Sequence, residues 1–200
     1  MTLNQWGKLS TVNNTFSDEE ARIFTLDGNP VPSVTGVLKA EGFIDDTWFT
    51  EQGADNGTRR HLVTYLYAID DLVEDSIDES DRPYLNAFID LLNVTGAKPI
   101  PELMEKRRFN LTWRYCGRPD LPVIFQGRKE IWDLKMSPNE LSWHKFQGGG
   151  YIGLFDDIFH ARCAYLQANG KFKLSKTVYG RKDREDFLSI LRTYQIRRNM

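Results

Sequence analysis

The sequence predicts a mixed α/β domain, and three features lead there. Apolar residues recur at helical spacing in the first half, with Leu62, Tyr65, Leu66 and Ile69 on one stripe and Tyr84, Phe88, Leu91 and Leu92 on another. Past Pro99 and Pro101 the period falls to two, as Phe109, Leu111, Trp113 and Tyr115 share one parity. Helical spacing then returns, followed by further strand-like runs and a closing helix. Two hundred residues, 40% hydrophobic and 12% aromatic, suffice for one domain with a sizeable core. No repeat or long linker divides the chain, so residues 1–200 read as one unit.

Taken in order, residues 1–20 are polar and read as a loosely held lead-in. Ile23 to Leu26 is a short strand entering the tight turn Asp27-Gly28-Asn29-Pro30. Ser33 offers an N-cap to a helix carrying Val34, Val37 and Leu38. Gly57 to about Leu72 forms an amphipathic helix, and the Tyr84–Leu92 helix stops at Gly96, making 23–100 mainly helical. Lys106 to Tyr115 reads as one half-buried strand, Leu121 to Phe125 as a second, Gln126-Gly127-Arg128 as a turn and Glu130 to Met136 as a third. Leu141 to Phe155 is helical. Cys163 to Leu166 and Phe172 to Val178 form a hairpin through Asn169-Gly170, which ends the sheet region 101–180; a helix from Asp186 to Arg198 closes the 183–200 segment.

Composition removes several classes of function. No apolar run nears the roughly 20 residues that span a bilayer, and Met1-Thr-Leu-Asn-Gln-Trp6 lacks the basic and apolar segments of a secretory signal. A cytoplasmic protein is the default expectation. Cys116 and Cys163 are too few for a four-thiolate site and read as reduced, packed thiols. The net charge of −2 is unevenly spread. From Gly170 onward nine basic residues face three acidic ones, whereas Asp70, Asp71, Glu74, Asp75, Asp78, Glu79 and Asp81 crowd one stretch. Such asymmetry would orient the chain on a polyanion, and two solvated faces explain it equally well.

Chemistry concentrates between residues 117 and 151. Asp120 follows Pro119 at a strand turn, Gly127 reverses the chain, and Asp133-Leu134-Lys135 follows. In a strand Asp133 and Lys135 point to one face and Leu134 to the core, and a hairpin of this length brings Asp120 beside Asp133. Two carboxylates and an ammonium are a minimal set for metal-assisted phosphodiester hydrolysis, because Mg²⁺ takes hard oxygen ligands and the transition state carries extra negative charge. Read alone, an Asp-x-Lys tripeptide is more often a strand with two solvent-facing charges.

The stretch Gly117-Arg118-Pro119-Asp120 … Ile131-Trp132-Asp133-Leu134-Lys135 resembles the core of the PD-(D/E)XK nuclease superfamily. Gly57-Thr58-Arg59-Arg60-His61 is similar to the helix-borne His motif of its RecB-like branch, Gln147-Gly-Gly-Gly-Tyr151 to its Gln-x-x-x-Tyr motif, and Phe24 to Leu38 to the opening of phage-type members. Glu105 sits where these enzymes often carry an acidic residue opening the first core strand, with Glu102 close enough to serve instead. The resemblance covers roughly residues 23–155. It implies a restriction-endonuclease-like core, a central mixed sheet flanked by helices, and a Mg²⁺- or Mn²⁺-dependent deoxyribonuclease. An exonuclease processing DNA ends in recombination or replication is the first expectation; a nicking or structure-specific endonuclease is the alternative, and a non-catalytic module binding nucleic acid or a partner is a third.

By the same resemblance Asp120, Asp133, the Leu134 carbonyl and His61 hold the metal, and Lys135 orients or deprotonates water and offsets phosphate charge. Glu105, Gln147 and Tyr151 complete the catalytic set. Arg59, Arg60, Arg107, Arg114 and Arg118, with Gln147 and Tyr151, are candidate DNA contacts. The thiol ligands of iron–sulfur members are missing, so no cluster is expected, and no motor motif accompanies the nuclease. DNA is the expected partner, without a membrane, in the host cytoplasm if the chain is phage-encoded. A homo-oligomer and a recombination or replication partner protein are compatible with the resemblance. Three successive glycines inside the Gln-x-x-x-Tyr helix depart from good helix composition, at about 1 kcal/mol each; either something approaches the backbone there or the helix is broken.

Overall fold

The turn signals locate the first elements. Asp27 and Gly28 take left-handed φ of +53° and +75° and close a two-residue hairpin between β2 (Ile23–Leu26) and β3 (Asn29–Pro30). The structure, a computed structural model, describes residues 15–19, 21–45, 50–137 and 139–199. Part of the expected lead-in is ordered: Thr15–Asp18 forms β1 and pairs antiparallel with β2, whereas 1–14 and Glu20 lie outside the described residues. Phe24 and Leu26 supply the buried side of this small sheet, which is why a polar strand is held against them.

Ser33 caps α1 (Val34–Ala40) as expected, its Oγ accepting the Gly36 N–H at 3.1 Å. Helix α2 (Glu51–Ala68) starts six residues before Gly57 and ends before Leu72. Thr50 caps it by accepting the Gly53 N–H at 3.0 Å, and Asp70 at φ +58° breaks it. Helix α3 (Arg82–Thr95) stops at Gly96, φ +66°. No helix among the described residues is long and apolar enough to cross a membrane.

The single strand read over Lys106–Tyr115 is instead a hairpin of β5 (Arg108–Asn110) and β6 (Tyr115–Gly117). Asn110 Oδ1 accepts the Trp113 N–H at 2.7 Å and Arg114 takes φ +53°, so the chain reverses. Leu111 and Trp113, which kept the period, are exposed at the turn.

The main sheet has five strands: β4 (Lys98–Pro99), β7 (Leu121–Phe125), β8 (Arg128–Lys135), β9 (Ala161–Leu166) and β10 (Phe172–Leu174). Their order is β10-β9-β8-β7-β4, antiparallel throughout except for the parallel pair β8–β9. Helix α4 (His144–Ile152) lies on the β8–β9 crossover, shorter than the Leu141–Phe155 span expected. Strand β10 ends four residues before Val178, where Ser175 turns inward and donates its N–H to the Cys163 carbonyl at 2.8 Å. Helix α5 (Arg181–Arg197) begins five residues before Asp186, with Asp183 accepting the Gly180 N–H at 2.8 Å.

Side-chain alternation gives the sheet two dry faces. Ile131, Ala161, Cys163 and Tyr165 join α1, α4 and α5 through Val34, Leu38, Ile152, Phe187 and Leu191. Trp132, Leu134, Ala164 and Leu166 meet α3 through Tyr84, Phe88 and Leu91. Each large side chain fully buried this way contributes about 1.5–3 kcal/mol. Cys116 and Cys163 are buried free thiols in different clusters.

The three glycines of α4 are explained by close packing, and the helix is continuous. A Cβ on Gly149 would lie 2.2 Å from the Asp183 carbonyl oxygen, on Gly148 2.6 Å from the Tyr179 ring, and on Gly150 2.8 Å from Val34. Helix α4 is thereby pressed against the start of α5.

Candidate active site

The β7–β8 register sets Leu121 opposite Trp132 and so carries Asp120 to Asp133, one step further along. Gln126 and Gly127 make this possible with φ of +50° and +78°, a two-residue reversal. Asp120 is fixed by the Leu134 N–H, which donates to its Oδ2 at 2.8 Å. Leu134 thus meets Asp120 through its amide N–H.

Glu105 arrives from the turn after β4. Its neighbour Met104 is buried, its N–H donates to the Pro119 carbonyl at 3.0 Å, and it holds φ +50°. A left-handed glutamate costs about 1–3 kcal/mol and persists only where surroundings impose it. Here they aim a carboxylate, 6% exposed, at His61 from α2. His61 Nδ1 lies 3.4 Å from Glu105 Oε1 and 3.6 Å from Asp120 Oδ1, buried and without a hydrogen-bond partner among the described residues. One donor atom each from His61, Glu105 and Asp120 fall within 4.8 Å of one another, the group of described residues arranged to hold a metal ion. Asp133, expected in that set, stands beside it, its Oδ2 ion-paired with Lys135 Nζ at 2.5 Å.

Helix α4 closes the other side. Gln147 Oε1 accepts from Lys135 Nζ at 2.6 Å and its Nε2 donates to Tyr151 Oη at 3.1 Å, so the four-residue spacing puts both on one face. The Trp143 ring lies 4.8 Å from Lys135 Nζ. Gly117 has no room for a side chain, since a Cβ would lie 2.7 Å from Leu154 Cδ1 and 3.1 Å from the Tyr151 ring; Gly117 is thus seated against the end of α4 and the turn after it.

Electrostatics follow from these neighbours. Burial would lower the His61 pKa, but Asp120, Glu105 and Asp133 outweigh it and raise it to about 9. Burial pushes Asp133 up to about 6 against the pull of Lys135, and pushes Asp120 up as well. Lys135 resists its own desolvation because Asp133 and Asp120 favour the ammonium, leaving its pKa raised. His144 is pushed down to about 4 by burial and Lys135 and is neutral. Its Nδ1 accepts the Leu141 N–H at 3.3 Å and lies 3.2 Å from Tyr165 Oη.

Of the expected site residues, Glu105, Asp120, His61, Asp133, Lys135, Gln147 and Tyr151 converge. The arginines divide. Arg59 and Arg60 both engage the buried carboxylate of Asp81, Arg60 with Nε at 3.0 Å and its guanidinium carbon 3.8 Å above the Tyr84 ring, which joins α2 to α3. Arg107 is ion-paired with Glu19 and stacked 4.2 Å over Phe24. Arg114 donates to the Leu26 carbonyl at 2.9 Å. Arg118 stays at the site, with Nε 3.1 Å from Glu105 Oε2. Three participants were not foreseen. His144 precedes Gln147 by three positions, a spacing that could have flagged it, and Trp143 is adjacent; Glu19 has no local signal, because its partner Arg107 is 88 residues away.

The sequence matches no protein-family model, and a search of curated proteins gives no match. Among solved structures, one described as the crystal structure of SSO0001 is similar at 16% identity over 70% of this chain, with a TM-score of 0.37. The match spans just under two thirds of that chain, at 66%, and is too slight to carry over a fold or an activity.

Proposed function

We propose that this chain is a divalent-metal-dependent nuclease that hydrolyses DNA phosphodiesters on a core of the restriction-endonuclease type. The observation that carries the reading is the convergence of His61, Glu105 and Asp120 within 4.8 Å, beside an Asp133–Lys135 ion pair, from segments far apart in sequence. An antiparallel hairpin bearing both aspartates, followed across a helix by a parallel strand, supports the core type.

The residues fit a hard divalent ion. Two carboxylates and an imidazole offer oxygen and nitrogen donors, and the buried Nδ1 of His61, facing both carboxylates without a hydrogen bond among the described residues, is the kind of atom that a metal satisfies. Mg²⁺ or Mn²⁺ bound there supplies positive charge to the scissile phosphate and acidifies water. Lys135, held as an ammonium by Asp133, offsets charge growing on the phosphate oxygens instead of taking a proton while that pair is intact. Gln147 fixes Lys135, and Tyr151 fixes Gln147.

An exonuclease processing DNA ends in recombination or replication, acting in the cytoplasm, remains the preferred substrate reading, as an extension of the motif resemblance. Purified protein incubated with linear and closed circular DNA, with Mg²⁺, Mn²⁺ or EDTA, tests it. Metal-dependent loss of the linear form with circles intact is expected. Relaxed circles indicate an endonuclease, and DNA retention without cleavage in any metal leaves a binding module in place of the enzyme.

A further inference from the structure

Arg118 is placed where a metal's charge would be felt. Its Nε sits 3.1 Å from Oε2 of Glu105, while Oε1 of the same carboxylate faces His61, so one carboxylate is shared between a candidate ligand set and a guanidinium. A second anion, Glu19, lies 3.6 Å from Arg118 Nη1. Glu19 also binds Arg107, and the two arginines differ: the Arg107 side chain is 10% exposed and stacked on Phe24, whereas Arg118 is 34% exposed at the mouth of the site. The preceding Gly117 is packed closely against Leu154 and Tyr151, and from there the Arg118 side chain extends to the mouth of the site.

Resting on the nuclease reading above, we propose that Arg118 is a tethered counter-cation which occupies Glu105 when no metal is bound and contacts a DNA phosphate when one is. A divalent ion drawing on Glu105 weakens the anion that holds Arg118 and adds a like charge beside it. The guanidinium, still beside Glu19, then presents the donors released from Glu105 to a phosphate oxygen of bound substrate, a partner its planar donor fork suits. Metal binding and substrate grip are coupled through this one side chain, so DNA is held firmly only by the metal-loaded site.

The coupling has a signature that a purely structural arginine lacks. Removing a competing cation tightens metal binding, whereas removing a support for Glu105 loosens it. Calorimetric titration with Mn²⁺ of wild type, Arg118→Gln and Arg118→Lys is the first arm. Arg118→Gln is expected to bind Mn²⁺ about tenfold more tightly, the scale of one nearby charge, with Arg118→Lys between. In the second arm Lys135→Ala and Lys135→Ala/Arg118→Gln bind a short DNA duplex with Mn²⁺ and with EDTA. A loss of about tenfold from the added substitution with Mn²⁺, and little change in EDTA, is expected. Equal or weaker Mn²⁺ binding by Arg118→Gln, or an equal DNA loss with and without metal, overturns the proposal for Arg118 alone. Wild type that takes up no Mn²⁺ overturns the nuclease reading and this coupling together.

Discussion

At the scale of single residues, three acids and three cations converge, and their roles separate by neighbour. Asp120→Asn removes a charge from the ligand set while keeping its shape. It is expected to abolish measurable Mn²⁺ binding and to lower cleavage by at least about 10²–10³, the range for loss of a group that stabilises transition-state charge; near-normal turnover would remove Asp120 from the site. Lys135→Ala is expected to lose cleavage on a similar scale while Mn²⁺ binding persists, which titration and a nuclease assay separate. A pH dependence follows from the carboxylates around His61. Its pKa of about 9 in the fold against the ordinary 6.5 means that the cationic form stabilises the metal-free protein below pH 6.5 and that this contribution is lost as pH rises towards 9. Asp133, raised to about 6 from 3.8, has the same sign between those values, since the fold holds its proton more tightly. EDTA-treated protein should therefore lose melting temperature from this site as pH rises, and Mn²⁺ affinity should climb about tenfold per unit until near pH 9 as a proton leaves His61. A flat affinity profile from pH 7 to 9 would exclude the imidazole as a ligand. Spacing places Asp133 and Lys135 on one strand face and Asp120 across a Gly127 turn, whereas His61, Glu105, Gln147 and Tyr151 enter the expected site only through the motif resemblance. Asp133 itself shows the limit, because which carboxylate joins the cluster and which pairs with Lys135 is decided by three-dimensional approach.

At the scale of elements, caps and contacts override propensity. The helix read from Gly57 misses six preceding residues of α2, Glu51 to Asn56, at whose start Thr50 caps with its hydroxyl, and Thr50→Ala should cost about 1 kcal/mol in denaturant unfolding. Alternation misleads at Lys106–Tyr115, where Leu111 and Trp113 keep the parity of a strand while sitting exposed at a turn. Nothing in a period-two pattern reports the side-chain-to-backbone bond from Asn110 that reverses the chain. The glycines of α4 carry the opposite lesson. Helix propensity favours Gly149→Ala by about 1 kcal/mol, but the added methyl would overlap the Asp183 carbonyl at 2.2 Å, so α5 must move. Overpacking of this kind costs typically about 1–3 kcal/mol, and a net loss of stability is expected by urea unfolding. A stabilised variant would show that α4 and α5 are not so close.

At the scale of the whole molecule, the sheet separates two dry layers and keeps the polar site at one edge of both. The α/β class, the β7–β8 and β9–β10 hairpins and the closing helix are legible because turn glycines and hydrophobic periods are local. The parallel β8–β9 pairing, the strand order and the pairing of Glu19 with Arg107 are not, since each depends on contacts between distant segments. The buried carboxylate of Asp81 illustrates this: in sequence it ends an acidic run, and in the fold it holds two arginines of α2 to the start of α3. That attachment matters for the candidate ligand set, whose members do not ride on one body. Glu105 and Asp120 belong to the sheet side, whereas His61 belongs to a helix anchored to α3. A cation gripped by all three would act as a rivet between layers. Chelation should accordingly be felt first as faster amide hydrogen exchange along Arg60–Ala68, with the central strands β8 and β9 still protected.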